Sequence, residues 1–251
     1  MGAEIAAVAL LGALIGSFLN VVIYRLPLGE SLVTPGSHCP ACDAPVRAFD
    51  NVPVVSWLLL RGRCRSCGAP ISPRYPIVEL LTAACFGAVV AARGFDNDLW
   101  LELPFVACLI ALAGIDLDHK LLPNKIVYPM AVYGLVASAL VQWDVFPEHL
   151  IAGTGAFAFL LVAVLAYPSG MGMGDVRLAG AMGLYLGVSV VPALLAAFLT
   201  GTIFGLGVIA REGAQARKKA VPFGIFLAIG GLVGVLVGPD LIDFYETTFL
   251  N

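Results

Sequence analysis

Two short segments carry carboxylates where carboxylates are costly. They are GIDLDHKLLPN (residues 114–124) and GMGDVRL (residues 172–178). Asp116 closes one long apolar run and Asp175 opens another. Ionisable side chains are tolerated at membrane depth mainly where they face a protein interior or a water-filled cavity. If both face one cavity, they form a carboxylate pair. Such a pair shares a proton, so one member can take a proton from water while the other donates one, as peptide hydrolysis requires. Each aspartate also has a plainer explanation. Asp116 could be a helix C-terminal residue at the water boundary, beside Asp118 and His119, although the helix dipole disfavours an acid there. Asp175 follows Gly170, Gly172 and Gly174 and could be a simple helix cap. The pattern alone leaves both readings open. No HExxH stretch is present, and His38, His119 and His149 lack a convincing serine partner.

A second group of residues could bind metal. Cys39-Pro-Ala-Cys42 and Cys64-Arg-Ser-Cys67 are two CxxC pairs separated by residues 43–63. This spacing suits a four-thiolate zinc site, each pair giving two ligands from one tight turn. Gly68 after Cys67 favours that turn. Redox dithiols, or no role, are the alternatives, and a reducing cytoplasm argues against a disulfide. His38 could stand in as a ligand but is not needed. Cys85 and Cys108 lie mid-span in apolar runs and read as small hydrophobes.

The elements that must position these groups are membrane helices. Of 251 residues, 60% are hydrophobic and only 12% charged, with mean hydropathy +0.94. A soluble domain carries about a quarter charged residues. The fold class expected is therefore all-α and polytopic, with about eight transmembrane helices and a small cytoplasmic zinc-ribbon-like insert. The spans expected are 4–24, 77–93, 99–116, 125–142, 149–167, 176–190, 192–210 and 222–240. The sixth and seventh abut at Val191–Pro192, so seven spans is an alternative count. No basic segment precedes Ile5–Tyr24 and no small-residue cleavage site follows, so that stretch is expected to stay as a helix. Arg25, Arg47, Arg61, Arg63, Arg65 and Arg74 crowd the segment after the first span. Lys120, Lys125, Arg177, Arg211, Arg217, Lys218 and Lys219 fall on the same side of an eight-span chain. Asp96, Asp98, Glu102, Asp144 and Glu148 fall opposite. The positive-inside rule then puts residues 25–76 in the cytoplasm, both termini outside, and both aspartates at the cytoplasmic boundary. The division expected is 1–24 (first helix), 25–76 (insert) and 77–251 (helical domain). An insert this small builds little core alone, so a metal staple makes physical sense.

Several motifs in order resemble the type IV prepilin peptidases, which share a GxGD signature with intramembrane aspartyl proteases. They are GSFLNVVIYRLP (16–27), the CPAC and CRSC pairs, RGRCRSCGAPISPRYPIVELL (61–81), GIDLDHKLLPN as a D-x6-P-N motif, GMGDVRLAGAMG (172–183) and VPFGIFLAIG (221–230). Ile225 stands where the family more often has proline. The resemblance implies Asp116 and Asp175 as catalytic residues. It implies Gly172, Gly174, Pro123, Pro222 and Gly224 as supporting backbone, and the four cysteines as the zinc ligands. The substrate implied is a prepilin or pseudopilin with a short basic leader ending in glycine before a phenylalanine. Cleavage would occur at the cytoplasmic face of a bacterial inner membrane. A second activity, N-methylation of the new N-terminus with S-adenosylmethionine, is implied and associated with the insert, with no donor-binding residues identified. No nucleic-acid partner is expected. A peptidase lacking the methyltransferase, an ion- or proton-coupled transporter using the same aspartates, and an inert assembly factor are the rival readings.

The orientation is tested by cysteine labelling from either side of the membrane. Asn97→Cys should react only with reagent outside and Gln215→Cys only with reagent in the cytoplasm. External labelling of position 215 would break the eight-span reading.

Overall fold

The computed structural model describes residues 1–167, 171–212 and 222–250. Gly170, Gln215, Arg217, Lys218, Lys219 and Val221 lie outside the described residues, as does the labelling position at 215. The chain forms two compact units, Met1–Phe95 and Asp96–Asn251. Apart from isolated bridges at His38–Pro45 and Arg63–Pro70, the described elements are helical.

In the first unit, α1 (Gly2–Arg25) and α3 (Arg74–Arg93) flank the insert, which holds the short helix α2 (Val55–Leu59). Between two membrane helices there is little hydrophobic drive, so close backbone approach does much of the packing. Gly12 and Gly16 supply it. A Cβ at Gly12 would sit 2.8 Å from the Thr82 carbonyl oxygen, and one at Gly16 2.8 Å from Glu79 Cα. Gly87 faces Ile5 and Ala9, so the two helices run antiparallel. Near their insert ends, Asn20 donates to the Tyr75 carbonyl at 3.1 Å.

The second unit holds α4 (Leu99–His119), α5 (Asn124–Val141), α6 (Phe146–Ala166), α7 (Met173–Leu186), α8 (Val190–Glu212) and α9 (Gly224–Tyr245). Neighbour contacts fix their directions. Gly224 meets Asp116 and Gly231 meets Leu109, so α9 opposes α4. Gly231, Gly234 and Gly238 meet Met182, Leu186 and Ser189 in turn, so α9 and α7 share a direction. Gly230 closes on the Ala193 carbonyl and Gly201 faces Phe226, so α8 opposes α9. The chain therefore reverses between α7 and α8.

Seven continuous helical segments are long and apolar enough to cross a membrane, one of them Met173–Glu212. The reversal makes that segment two antiparallel passes, giving eight in all among the described residues. The break falls at Gly187–Ser189, not at Val191–Pro192. Gly187 takes φ +53°, which glycine adopts without strain. Pro192 sits in the first turn of α8, where a missing N–H breaks no helical bond.

The core of this unit centres on Tyr185. Its ring stacks on Phe105 at 4.6 Å, and its hydroxyl donates to the Met130 carbonyl at 2.8 Å. The α6–α7 contact is tighter still, since a Cβ at Gly183 would fall 2.5 Å from the Gly153 backbone. Gly183→Val should lower stability by about 3 kcal/mol or more, a drop of roughly 6–12 °C in thermal midpoint. Gly155→Val, where nothing lies within 4 Å, should leave the midpoint nearly unchanged. Thermal unfolding in detergent reads both.

Candidate active site and metal centre

Asp116 sits in the last turn of α4, one residue after fully buried Ile115. The helix stops when Lys120 turns left-handed (φ 54°), its amide donating back to the Asp116 carbonyl at 2.9 Å. The chain then passes through Leu122 and Pro123 into α5. Asp116 is only 4% exposed, whereas Asp118 is exposed. The amides of Gly224 and Ile225 at the start of α9 act on the Asp116 carboxylate. Neither reaches hydrogen-bonding geometry on Oδ2, which is buried without a partner.

Asp175 lies in the first turn of α7. Its carboxylate accepts the Gly172 N–H at 3.0 Å, and its own N–H donates to the Gly172 carbonyl at 3.1 Å. It thus does the capping job that its position suggested, and that job occupies Oδ2. It is 8% exposed. Gly174 beside it and Gly224 against Asp116 both meet Leu122, which brings the two aspartate segments to one place in the unit.

The glycines around the pair have a steric reason. A Cβ on Gly224 would lie 2.8 Å from both Asp116 Oδ2 and Leu122 Cδ2. A Cβ on Gly174 would lie 3.1 Å from Leu122 Cβ. Leu122 is therefore the wedge shared by the motifs of Asp116 and Asp175 and by the start of α9. Pro123 takes an extended conformation before α5, and half-buried Pro222 precedes the first turn of α9. Ile225, the departure from the family pattern, falls inside α9, which begins at Gly224.

Sequence reasoning missed Leu122 and a second contact beside it. Arg177 donates to the Asn124 side chain at 2.8 Å and lies over the Tyr128 ring at 5.8 Å. This ties the start of α7 to the start of α5. Arg177 stands two residues after Asp175, and Asn124 ends the first motif. Their positions were the only signal, because a cation and an amide far apart in sequence do not announce a contact.

The insert brings its four cysteines together. All four sulfurs lie within 4.8 Å of one another. A zinc ion bonded to four thiolates at about 2.3 Å spaces the sulfurs roughly 3.8 Å apart. The Cys39 and Cys67 sulfurs are 3.8 Å apart. Cys85 and Cys108 lie outside this group, in α3 and α4.

The two halves of the site are built alike. Cys39 N–H donates to the Ala44 carbonyl and Asp43 N–H to Cys39, both at 2.9 Å. In the second half, Cys64 N–H donates to Ala69 at 2.8 Å and Gly68 N–H to Cys64 at 2.9 Å. Asp43 and Gly68 both take the left-handed conformation, with φ 55° and 72°. The segments CDAPV and CGAPI thus form a repeat that sequence reading had passed over. Amides of Cys67 and Ser66 pull the Cys64 thiol down to about 7.

Two further contacts hold the insert. Arg25 donates to the carbonyls of Ser31, Pro35 and Gly36 at 3.1, 2.7 and 3.3 Å. Arg65 pairs with Asp50 at 2.6 Å and holds its carboxyl below the usual carboxylate range.

Comparison with known proteins gives this arrangement a family. Residues 10–93 match the bacterial peptidase A24 N-terminal domain. Residues 103–206 match the type IV leader peptidase family. A prepilin leader peptidase/N-methyltransferase of Aeromonas hydrophila is 38% identical, over 97% of this chain and 94% of that one. The chain belongs to the type IV leader peptidase family. Relatives of the same description in Stutzerimonas stutzeri and Pseudomonas aeruginosa are 33% and 34% identical, each over 94% of this chain and 91% of theirs. No solved structure matches this chain to a significant degree. It is accordingly an enzyme of a protease family and a multi-pass membrane protein. The leader peptidase match contains both Asp116 and Asp175, and the N-terminal match contains all four clustered cysteines.

Proposed function

We propose that this leader peptidase removes the short basic leader from type IV prepilins or type II secretion pseudopilins, using Asp116 and Asp175 to activate water. The observation that carries the reading is the burial of both Asp116 and Asp175 at one end of the unit, where Gly224 against Asp116 and Gly174 beside Asp175 both close on Leu122. The ionised member of the pair takes a proton from water as its oxygen bonds to the scissile carbonyl carbon. The protonated member donates a hydrogen bond to the carbonyl oxygen. As the carbon–nitrogen bond breaks, a proton passes to the leaving amine. Gly224 and Gly174 let backbone and Leu122 close around the pair, which keeps bulk water away.

The location follows the charges. In the second unit the alternating helices gather Lys120, Lys125, Arg177 and Arg211 at the end that holds Asp116 and Asp175. Asp98, Asp144 and Glu148 lie at the other end. That asymmetry supports a cytoplasmic active site in a bacterial inner membrane, with residues 25–76 also cytoplasmic. The four cysteines would hold one structural zinc ion, which would supply a fixed tetrahedral staple for the insert and no hydrolytic step.

N-methylation of the new N-terminus is the second activity proposed. It is supported by the description of the relatives as prepilin leader peptidase/N-methyltransferase. The donor would be S-adenosylmethionine. No glycine-rich strand–turn–helix stands among the described residues to hold it, so no step through it follows.

Asp116→Asn and Asp175→Asn should each abolish leader cleavage while leaving the protein inserted, and the double variant should be little worse, since a pair acts as a unit. Asp118→Asn should be mild. Substantial cleavage by either single variant, read by electrophoresis of a purified prepilin, defeats the two-aspartate mechanism. Cys64→Ser with Cys67→Ser should lower zinc below one ion per chain and impair methyl transfer more than hydrolysis. Mass spectrometry of cleaved and methylated product separates the two activities. Equal loss of both would make the insert a shared structural element.

A further inference from the structure

The short helix α2 is amphipathic in the wrong sense for a water-facing element. Its polar side is turned inward. Ser56 is buried, accepts the Val52 N–H at 3.0 Å and donates to the Phe49 carbonyl at 2.9 Å. Trp57 turns its ring onto Gly62 and donates to the Ile71 carbonyl at 3.1 Å. Its apolar side is turned outward. Val55, Leu58 and Leu59 share one face at spacing i, i+3, i+4, and are 51%, 61% and 78% exposed. In water such a face would be a liability.

The depth of α2 resolves this. The residue before it, Val54, donates its N–H to Glu79 Oε2 at 2.7 Å. Glu79 lies five residues inside α3, about 7.5 Å along the axis from Arg74. α3 has 20 residues, about 30 Å, and an arginine at each end, so nearly all of it is needed to cross the hydrocarbon. The start of α2 is therefore held at the level where headgroups meet acyl chains. Val54, a β-branched residue, takes φ 61° where it makes this contact. Exposed Arg61 and Arg63 follow directly, in place to reach lipid phosphates.

We propose that α2 is an interfacial anchor whose Val55–Leu58–Leu59 face is covered by phospholipid acyl chains of the same bilayer that α1 and α3 cross. The insert is then fastened to the membrane surface at a third point, between its two ends at Arg25 and Arg74. The occupant is lipid because the Glu79 contact sets the start of α2 at the depth where acyl chains begin, and because exposed Arg61 and Arg63 follow the apolar face.

The test uses full-length protein in nanodiscs of phosphatidylglycerol and phosphatidylethanolamine. A benzophenone amino acid replaces Leu59 in one variant and Ala41, in the first CxxC turn, in another. After illumination, position 59 should give about tenfold more lipid adduct than position 41, since an interfacial face sits among acyl chains and the turn in water. Equal lipid adduct at both positions overturns the proposal. So does crosslinking of position 59 mainly to another part of the chain, to a second copy or to an added prepilin. A second measurement avoids the bulky label. In Trp57→Phe with Trp100→Phe and Trp143→Phe, a single tryptophan introduced on the outward face by Leu58→Trp should have its emission quenched when the lipids are brominated on their acyl chains. Unchanged emission in brominated lipid also overturns it. Neither readout depends on peptidase or methyltransferase activity, so failure here leaves the proposed reaction untouched.

Discussion

A carboxylate at membrane depth must be hidden from lipid and still reach its reaction partner. The second unit meets the first part of that requirement with closely packed backbone. Asp116 lies against the first turn of α9, which can approach so closely because Gly224 has no side chain. Asp175 is held by its own helix start through the Gly172 amide. One carboxylate oxygen is thereby tied to structure, while Asp116 Oδ2 stays buried and open.

The same constraint explains the bundle that surrounds the pair. Six helices alternate in direction and approach one another through glycine. Gly183 on Gly153, Gly230 on the Ala193 carbonyl and Gly134 on Tyr185 are contacts no larger residue would allow. Where lipid is as apolar as leucine, close packing and a few internal hydrogen bonds must supply what the hydrophobic effect supplies in water. The Tyr185 hydroxyl on Met130, beside the stacked Phe105, is one such bond at the centre of the unit.

The insert solves a different problem. It has little apolar core, so local devices order it: two matching cysteine turns, Arg25 gathering three carbonyls, and the Arg65–Asp50 pair. The matched turns bring four sulfurs within 4.8 Å of one another, a donor set of the kind that holds one tetrahedral ion. Glu79 then links the insert to α3 through Val54. The insert is thus tied to membrane helices at its ends and at its middle.

Much of this was legible in the chain itself. Composition and the length of the apolar runs gave a polytopic helical protein, because crossing hydrocarbon leaves the backbone few alternatives. The CxxC spacing gave the four-cysteine cluster, because a tight turn fixes where two sulfurs point. Gly172, Gly174 and Asp175 were legible as a helix start. Other features needed the fold. Val191–Pro192 looked like the break between the sixth and seventh passes, yet the turn falls at Gly187. Proline is harmless in a first helical turn, and only the contacts of α9 reveal where the chain reverses. The choice of Asp116 over Asp118 shows as burial only once α4 has its neighbours. Leu122 as shared wedge, Arg177 on Asn124, and the outward apolar face of α2 depend on contacts between segments distant in sequence. Local residue types and spacings determined which groups this protein carries. Long-range packing decided which of them meet, because that depends on helix direction and depth, and neither is written in any one segment.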